Sequence, residues 1–438
     1  MKEQDKIPTS KVKRAAKLLS AGAKVGTNYL KYYAKKATGD EQAKEQLDKD
    51  NAEDLFKTLS ELKGSALKVA QIMSMDKNML PTAITEKFAM AQYNAPPLSY
   101  PLVLRTFKKA FGKSPLDIFN SFSRNAIKAA SIGQVHMAEK NGQKLAVKVQ
   151  YPGVADSVKN DLRMIKPIAM RILNLKENEI RQYLEEVEER LIEETNYELE
   201  LKQSIEISQA CEQLNGFVFP KYYPDLSSDK IITMDWLEGL HLKEFLKTNP
   251  DQKTRNLIGQ RLWELYDFQV NKLKAIHADP HPGNFLFYKN GDIGVIDFGC
   301  IKRIPIDFYH NYFQLLNPSY QKDDELLMEL FYKLEFIYED DTPETKKLFF
   351  GLFKEIMFLL IQPFKEGDFD FSNKDYLDRL YELGDELKSR KDIRKNGAAR
   401  GSRHILYINR TYFGLFTLLY ELGANIETST SFNFNKAD

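Results

Sequence analysis

Cysteine is scarce in this chain: Cys211 and Cys300 are the only two among 438 residues. Two thiols so far apart form neither a disulfide framework nor a metal-binding spacing, which fits a reducing compartment. Net charge is scarce as well, with 63 basic residues against 62 acidic ones, so no overall field draws the chain to nucleic acid. No uninterrupted apolar run reaches the roughly 18 residues that a membrane-spanning helix needs. The most hydrophobic stretch, Leu348 to Phe364, is broken by Lys354 and Glu355 and reads as a buried core helix. The N-terminus lacks a continuous apolar segment, which argues against a secretory signal. These absences point to a soluble, cytoplasmic protein. Its 43% apolar content can build a large core. Its length predicts two or three domains or one large bilobal one.

The most informative stretch runs from His277 to Gly299, HADPHPGNFLFYKNGDIGVIDFG. Two short strands, FLFY and IGVID, flank the turn Lys289-Asn290-Gly291-Asp292. Such a hairpin returns the end of its second strand to the loop before its first, so Asp279, Asn284 and Asp297 converge. Two carboxylates and an amide are hard oxygen donors of the kind Mg²⁺ takes when it is shared with phosphates. A carboxylate left off the metal can position an attacking hydroxyl or water and accept its proton. Turn chemistry alone explains Pro280, Pro282 and Gly283. It does not explain an aspartate that ends a strand as apolar as IGVI and is followed by Phe-Gly.

Upstream, Gln134–Glu139 and Lys144–Gln150 read as a second hairpin around Asn141-Gly142. Before it lies a loop of small residues, Ala129-Ala130-Ser131-Ile132-Gly133, whose backbone N–H groups could approach a phosphate closely. Lys148 lies on the second strand, with Val147 and Val149 on the opposite face. A lone strand lysine is most often an exposed edge residue. The order of loop, strand, turn and strand with lysine instead matches the way protein kinases cover and clamp phosphates. A long helix is predicted from Ile180 to about Leu214, carrying a dense run of glutamates that is mostly a solvated face. Periodicity leaves open whether Glu194, Glu198 or Glu200 turns inward towards Lys148. Phe217–Phe219 and Lys230–Trp236 read as further strands. The latter, with Asp235, leads into Leu237-Glu238-Gly239, a connection between lobes where an adenine would meet backbone groups. Leu240–Leu246 and Asn256–Ile276 read as helices, and everything from Gly299 to about Gly423 as mainly helical.

In residues 1–38 basic residues far outnumber Glu3 and Asp5. Lys11–Tyr33 reads as a basic amphipathic helix, weakened by Gly22 and Gly26. It could lie on an anionic membrane surface or pack its stripe on the body of the protein, and the residues favour neither. A transit peptide is a third reading, although lysine stands where arginine would be expected. A second helix, Asn51–Met75, places Lys68 and Gln71 on one face.

Taken together, LKVAQ (67–71), AASIGQVH (129–136), LAVKVQYPGV (145–154), ETNYELE (194–200), HADPHPGN (277–284) and DFG (297–299) resemble the UbiB/AarF family of atypical protein-kinase-like proteins. The resemblance implies an α+β, bilobal protein-kinase-like fold with a small β-containing N-lobe, a mostly helical C-lobe and an N-terminal helical extension. On this reading the chain comprises a basic helical segment (1–50), the extension (51–115), the N-lobe (116–238), the C-lobe (239–425) and a disordered tail (426–438). It implies ATP and Mg²⁺ as cofactors. Lys148 would hold the α- and β-phosphates and pair with Glu200, and the loop from Ala129 to Gly133 would cover the phosphates. Asp279 would be the catalytic-loop acid, with Asn284 and Asp297 as magnesium ligands. Lys68, Gln71 and Glu194 match elements that belong, in the family, to an extension folded over the site.

Three departures stand out: Ala70 replaces a glycine of the family motif, Asn196 an aspartate, and Lys128 an alanine of the loop. The expected function is an Mg-ATP-dependent atypical kinase or ATPase with a small or lipid-like acceptor. The family's association with isoprenoid and quinone biosynthesis adds an analogy, and the basic first helix adds contact with a membrane surface. A nucleotide-switched binding protein, or pseudokinase scaffold for a lipid-enzyme assembly, is the alternative. No Ala-Pro-Glu segment follows Gly299, which argues against a protein substrate.

Overall fold

The computed structural model describes residues 11–38, 40, 42–62, 98–129, 132–173, 185, 187–189, 191–365, 367–390 and 400–432. Lys68, Gln71, Ala130 and Ser131 lie outside these. The chain forms two compact units. The first is Met1–Lys202 with Lys221–Trp236, and the second is Gln203–Pro220 with Leu237–Asp438.

The first unit opens with α1 (Lys11–Ala37) and α2 (Ala43–Leu62). The boundary expected at residue 50 falls inside α2. Arg14 is buried and grips Asp161 through two hydrogen bonds, Nε to Oδ1 at 2.8 Å and Nη2 to Oδ2 at 2.5 Å. Its Nη1 also donates to the Leu62 carbonyl. With Leu18, Ala21, Val25 and Asn28 also buried, the inner stripe of α1 packs on the body of the unit. The helix α3 (Tyr100–Phe111) starts with a proline in its first turn and stops at Gly112, whose φ of 69° a side chain would resist. It lies against the sheet formed by β1 (Ser121–Phe122), β2 (Lys128–Ala129), β3 (Gly133–Lys140), β4 (Gln143–Gln150) and β6 (Ile231–Asp235). The strand order is β1-β3-β4-β6 with β2 also on β3, all antiparallel. The hairpin β3–β4 turns at Asn141 and Gly142, both with positive φ, as the Asn-Gly pair predicts. The period-two alternation then sends Val147 and Val149 into a core with Val103, Phe107 and Phe119, and Lys148 to the other face.

Two helices follow the sheet hairpin, α4 (Val154–Leu173) and α5 (Tyr197–Cys211). The single long helix expected from Ile180 is therefore interrupted. The backbone leaves helical geometry at Thr195–Asn196, and Asn196 caps α5 by accepting from Leu199 N at 3.0 Å.

In the second unit β5 (Phe217–Val218) pairs in parallel with β9 (Ile293–Val295), which pairs antiparallel with β8 (Phe285–Phe287). Phe217–Phe219 thus belongs to this unit and not to the N-lobe block 116–238. The helices α6 (Leu242–Leu246) and α7 (Gln252–Phe268) follow. The helix expected to continue to Ile276 instead ends in a π turn, Gln269–Leu273, and gives way to β7 (Ala275–His277), paired with β10 (Ile301–Arg303). Six further helices complete the described part: α8 (Ile306–Phe313), α9 (Pro318–Lys322), α10 (Asp324–Lys333), α11 (Pro343–Leu360), α12 (Lys374–Ser389) and α13 (Arg403–Leu422). Helix α11 buries Phe349, Leu352 and Met357, as its core reading predicts. Among the described residues no helix is long and apolar enough to cross a membrane.

The tail expected to be disordered from residue 426 is ordered as far as Phe432. β12 (Asn425–Glu427) pairs with β11 (Asp368–Asp370), and Phe432 is buried against Tyr309 and Phe313. Polar composition hid an aromatic anchor.

Candidate active site

In the first unit β4 is central, with β3 on one side and β6 on the other, so Lys148 is not an edge lysine. It stands between Val135 and Ile232 and is buried. Its Nζ lies 2.5 Å from Glu200 Oε1 and 5.3 Å from the centre of the Tyr197 ring. The cap at Asn196 sets the register of α5. Tyr197, Glu200, Ser204, Ile207 and Cys211 then form its buried stripe, while Glu198 stays exposed. That register, and not charge density, selects Glu200 as the partner of Lys148. Glu194 lies before the cap and is buried.

The small-residue loop is anchored on both described flanks. Lys128 and Ala129 pair with Val135 and Gln134 of β3. Ile132 is buried, and its carbonyl accepts from Tyr151 N at 2.9 Å. A Cβ at Gly133 would stand 2.6 Å from Tyr197 Oη and 2.7 Å from the Val149 carbonyl oxygen, so only glycine fits. The Ile132 side chain belongs to the core and offers nothing to a phosphate.

Two neighbouring polar residues had no role in the sequence reading. His136 is buried in the sheet, with Nδ1 donating to the Ser123 carbonyl at 2.8 Å and Nε2 accepting from Gln134 Nε2 at 2.9 Å. Burial lowers its pKa, and this pair of partners suits the neutral ring. Gln134 in turn accepts from Leu98 N at 2.6 Å.

Asp235 needs correction as a nucleotide contact. Its carboxylate accepts from Gln143 Nε2 at 2.6 Å, Tyr223 Oη at 2.8 Å and Lys221 N at 3.1 Å. Those bonds close the end of the β4–β6 ladder and occupy the side chain. Leu237 begins the second unit with its side chain beside Gly294.

In the second unit the expected hairpin is present. β8 and β9 turn at Gly291, whose φ is 86°, and Asn290 bonds across the turn to Asp292. Ile296 N donates to the Asn284 carbonyl at 3.1 Å, which brings Asp297 back beside Asn284. Asn284 Nδ2 donates to the Asp279 carbonyl at 2.9 Å and approaches its Oδ2 at 3.4 Å. Asp297 Oδ1 accepts from Gly299 N at 2.7 Å. The three predicted residues are therefore together. Phe298 follows Asp297 because it is fully buried, against His277 and Phe219.

Sequence reasoning missed the supports of this loop. A Cβ on Gly414 of α13 would stand 2.4 Å from Pro280 Cγ, so the absence of a side chain there makes room for the loop. Tyr266 is fully buried, and burial together with the negative charge of Asp279 holds its hydroxyl protonated, well above its ordinary pKa. Gln269 accepts from His277 N at 2.9 Å. The motif spacing carried no signal of these.

Among the described residues no three His, Cys, Asp or Glu side chains form a metal-binding group. Asp279, Asn284 and Asp297 supply oxygen donors but no all-protein cage. That suits an Mg²⁺ ion that completes its shell with phosphates and water.

A sheet with a buried lysine–glutamate pair, followed by a helical unit with an H-x-D loop and a D-F-G strand end, defines a protein-kinase-like protein. The model for the ABC1 atypical kinase-like domain matches residues 90–331, more than half of the chain, and the chain belongs to that family. This bears out the UbiB/AarF resemblance. The Saccharomyces cerevisiae atypical kinase COQ8, mitochondrial, is 26% identical over 437 residues, covering 97% of this chain and 85% of that protein. The Danio rerio atypical kinase COQ8B, mitochondrial, is 24% identical over 393 residues, covering 87% and 62%. A solved Rv3197–erythromycin complex from Mycobacterium tuberculosis superposes with a TM-score of 0.58 at 25% identity, covering 89% of this chain and 96% of that one.

Proposed function

We propose that this atypical kinase binds Mg-ATP and passes the γ-phosphate to water or to a small or lipid-like acceptor. The observation that carries the reading is that one chain holds both the buried Lys148–Glu200 ion pair and the Asp279–Asn284–Asp297 group. Glu200 holds the Lys148 ammonium in place for the α- and β-phosphates, while the 129–133 loop covers them. Asn284 and Asp297 would hold Mg²⁺, which neutralises charge on the phosphates. Asp279 orients the attacking hydroxyl or water and takes its proton.

The small acceptor is supported by the chain after Gly299. It enters β10 at once and then α8, which leaves no peptide-binding segment there. A peripheral membrane contact is supported by α1, which has no acidic residue and leaves Leu19, Leu30 and Tyr33 exposed beside its lysines. The extension residues Lys68, Gln71 and Glu194 would then regulate access to the nucleotide.

Thermal stabilisation by Mg-nucleotide and phosphate release, with and without anionic vesicles, test the reading. Asp297→Ala should lose the magnesium-dependent stabilisation. Asp279→Asn should keep it and lower phosphate release by about 10²-fold or more. Unchanged release in Asp279→Asn would favour a nucleotide-switched binding protein.

A further inference from the structure

We propose that Gln269 is a positioning residue for the catalytic loop and that the π turn Gln269–Leu273 is the device that places it. The proposal rests on the Mg-ATP reading above. A π turn takes in an extra residue and rotates the side chains after it by about 100° relative to a continued α-helix. Here it turns Gln269 into the interior, with 1% of its surface exposed. Its Oε1 accepts from His277 N, two residues before Asp279. Strand β10 takes the next N–H, as Ala278 N donates to the Cys300 carbonyl at 2.8 Å. Gln269 thus supplies the acceptor for the buried His277 N–H, which would otherwise be costly to leave unmet. The amide of Gln269 faces the buried Cys211 thiol, whose pKa is pushed up to about 12 by burial, so that side remains uncharged.

The outer side of the turn is clamped as well. Asn271 accepts from Tyr309 Oη at 2.6 Å and donates to Asp267 Oδ1 at 2.6 Å. Its carbonyl accepts from Lys274 Nζ at 2.7 Å. Lys274 adopts a left-handed φ of 48°, unusual for a residue with a side chain, and its ammonium sits 3.5 Å from the centre of the Tyr309 ring. These bonds hold the chain through a sharp change from helix to strand. Downstream, Asn284 tethers Asp279. Gln269 is the matching tether upstream.

Gln269→Met preserves length but offers no acceptor, while Gln269→Glu keeps an oxygen at the same reach. Amide hydrogen exchange over residues 275–284, stabilisation by Mg²⁺ with ADP, and kcat and KM for ATP hydrolysis would be measured in each. Gln269→Met should speed exchange of the loop and lower kcat by about 10- to 100-fold with KM nearly unchanged. Gln269→Glu should restore both. Wild-type exchange and kcat in Gln269→Met would overturn the proposal, as would a parallel loss of kcat and Mg-ADP stabilisation. If Gln269→Met does not fold, Gln269→Asn, which keeps the amide but falls one methylene short, takes its place. If the wild type releases no phosphate, the functional reading fails, and loop exchange alone decides the role of Gln269.

Discussion

Gly414 shows how a residue without a side chain can decide the shape of a site. Pro280 occupies the space that a methyl group at position 414 would need, and a proline ring cannot rotate out of the way. Gly414→Ala should destabilise the fold by about 1–3 kcal/mol. It should also reduce phosphate release more than Mg-nucleotide binding, measured by urea denaturation and paired kinetic and thermal-shift assays. His136 gives a pH prediction. Burial lowers its folded-state pKa below the ordinary 6.5, so below that pH the unfolded chain binds a proton that the folded chain resists. The stabilisation is complete above the unfolded value and is lost as pH falls beneath it. The melting temperature should therefore drop more steeply between about pH 7 and 5 in the wild type than in His136→Gln. Neither residue was legible in the sequence. A glycine in a helical pattern and a histidine in a strand pattern acquire meaning only from what packs against them.

The lesson at the scale of elements concerns where a helix begins. Glutamate density around α5 gave no means of choosing among Glu194, Glu198 and Glu200. The cap at Asn196 makes the choice by starting a new helix whose fourth residue is Glu200. Asn196→Ala should cost about 1 kcal/mol. Asn196→Asp, which restores the family's residue, should cap equally well and leave the melting temperature nearly unchanged, as calorimetry can check. The hairpins were far easier to read, because alternation and an Asn-Gly turn are local. The π turn and β7 were not, since apolar periodicity from Asn256 to Ile276 fits a continuous helix. Pairing of β7 with β10 outweighs that preference.

For the molecule as a whole, the sequence order of motifs located both units, but their membership was decided by pairing. β5 joins the second unit through β9, a partner far along the chain. The C-terminal segment likewise belongs to that unit. Ser429 accepts from Trp263 Nε1 at 3.0 Å, Ser431 donates to Asp267, and Phe432 is buried. Phe432→Ala should cost about 3–4 kcal/mol and Phe432→Leu less than about 1.5 kcal/mol, read from urea unfolding. Near-equal stability of the alanine variant would mean that the segment is dispensable.

What the sequence determined by itself was local: the two Asn-Gly and Asn-Gly-Asp hairpins, the alternation that puts Lys148 opposite Val147 and Val149, and the spacing that gathers Asp279, Asn284 and Asp297. Tertiary structure decided the partner of Lys148, the neutral state of His136, the engagement of the Asp235 carboxylate and the support of the catalytic loop by Gln269 and Gly414. The physical reason is that turns and alternation arise from neighbours along the chain. Burial and hydrogen-bond satisfaction depend on residues brought together from distant positions.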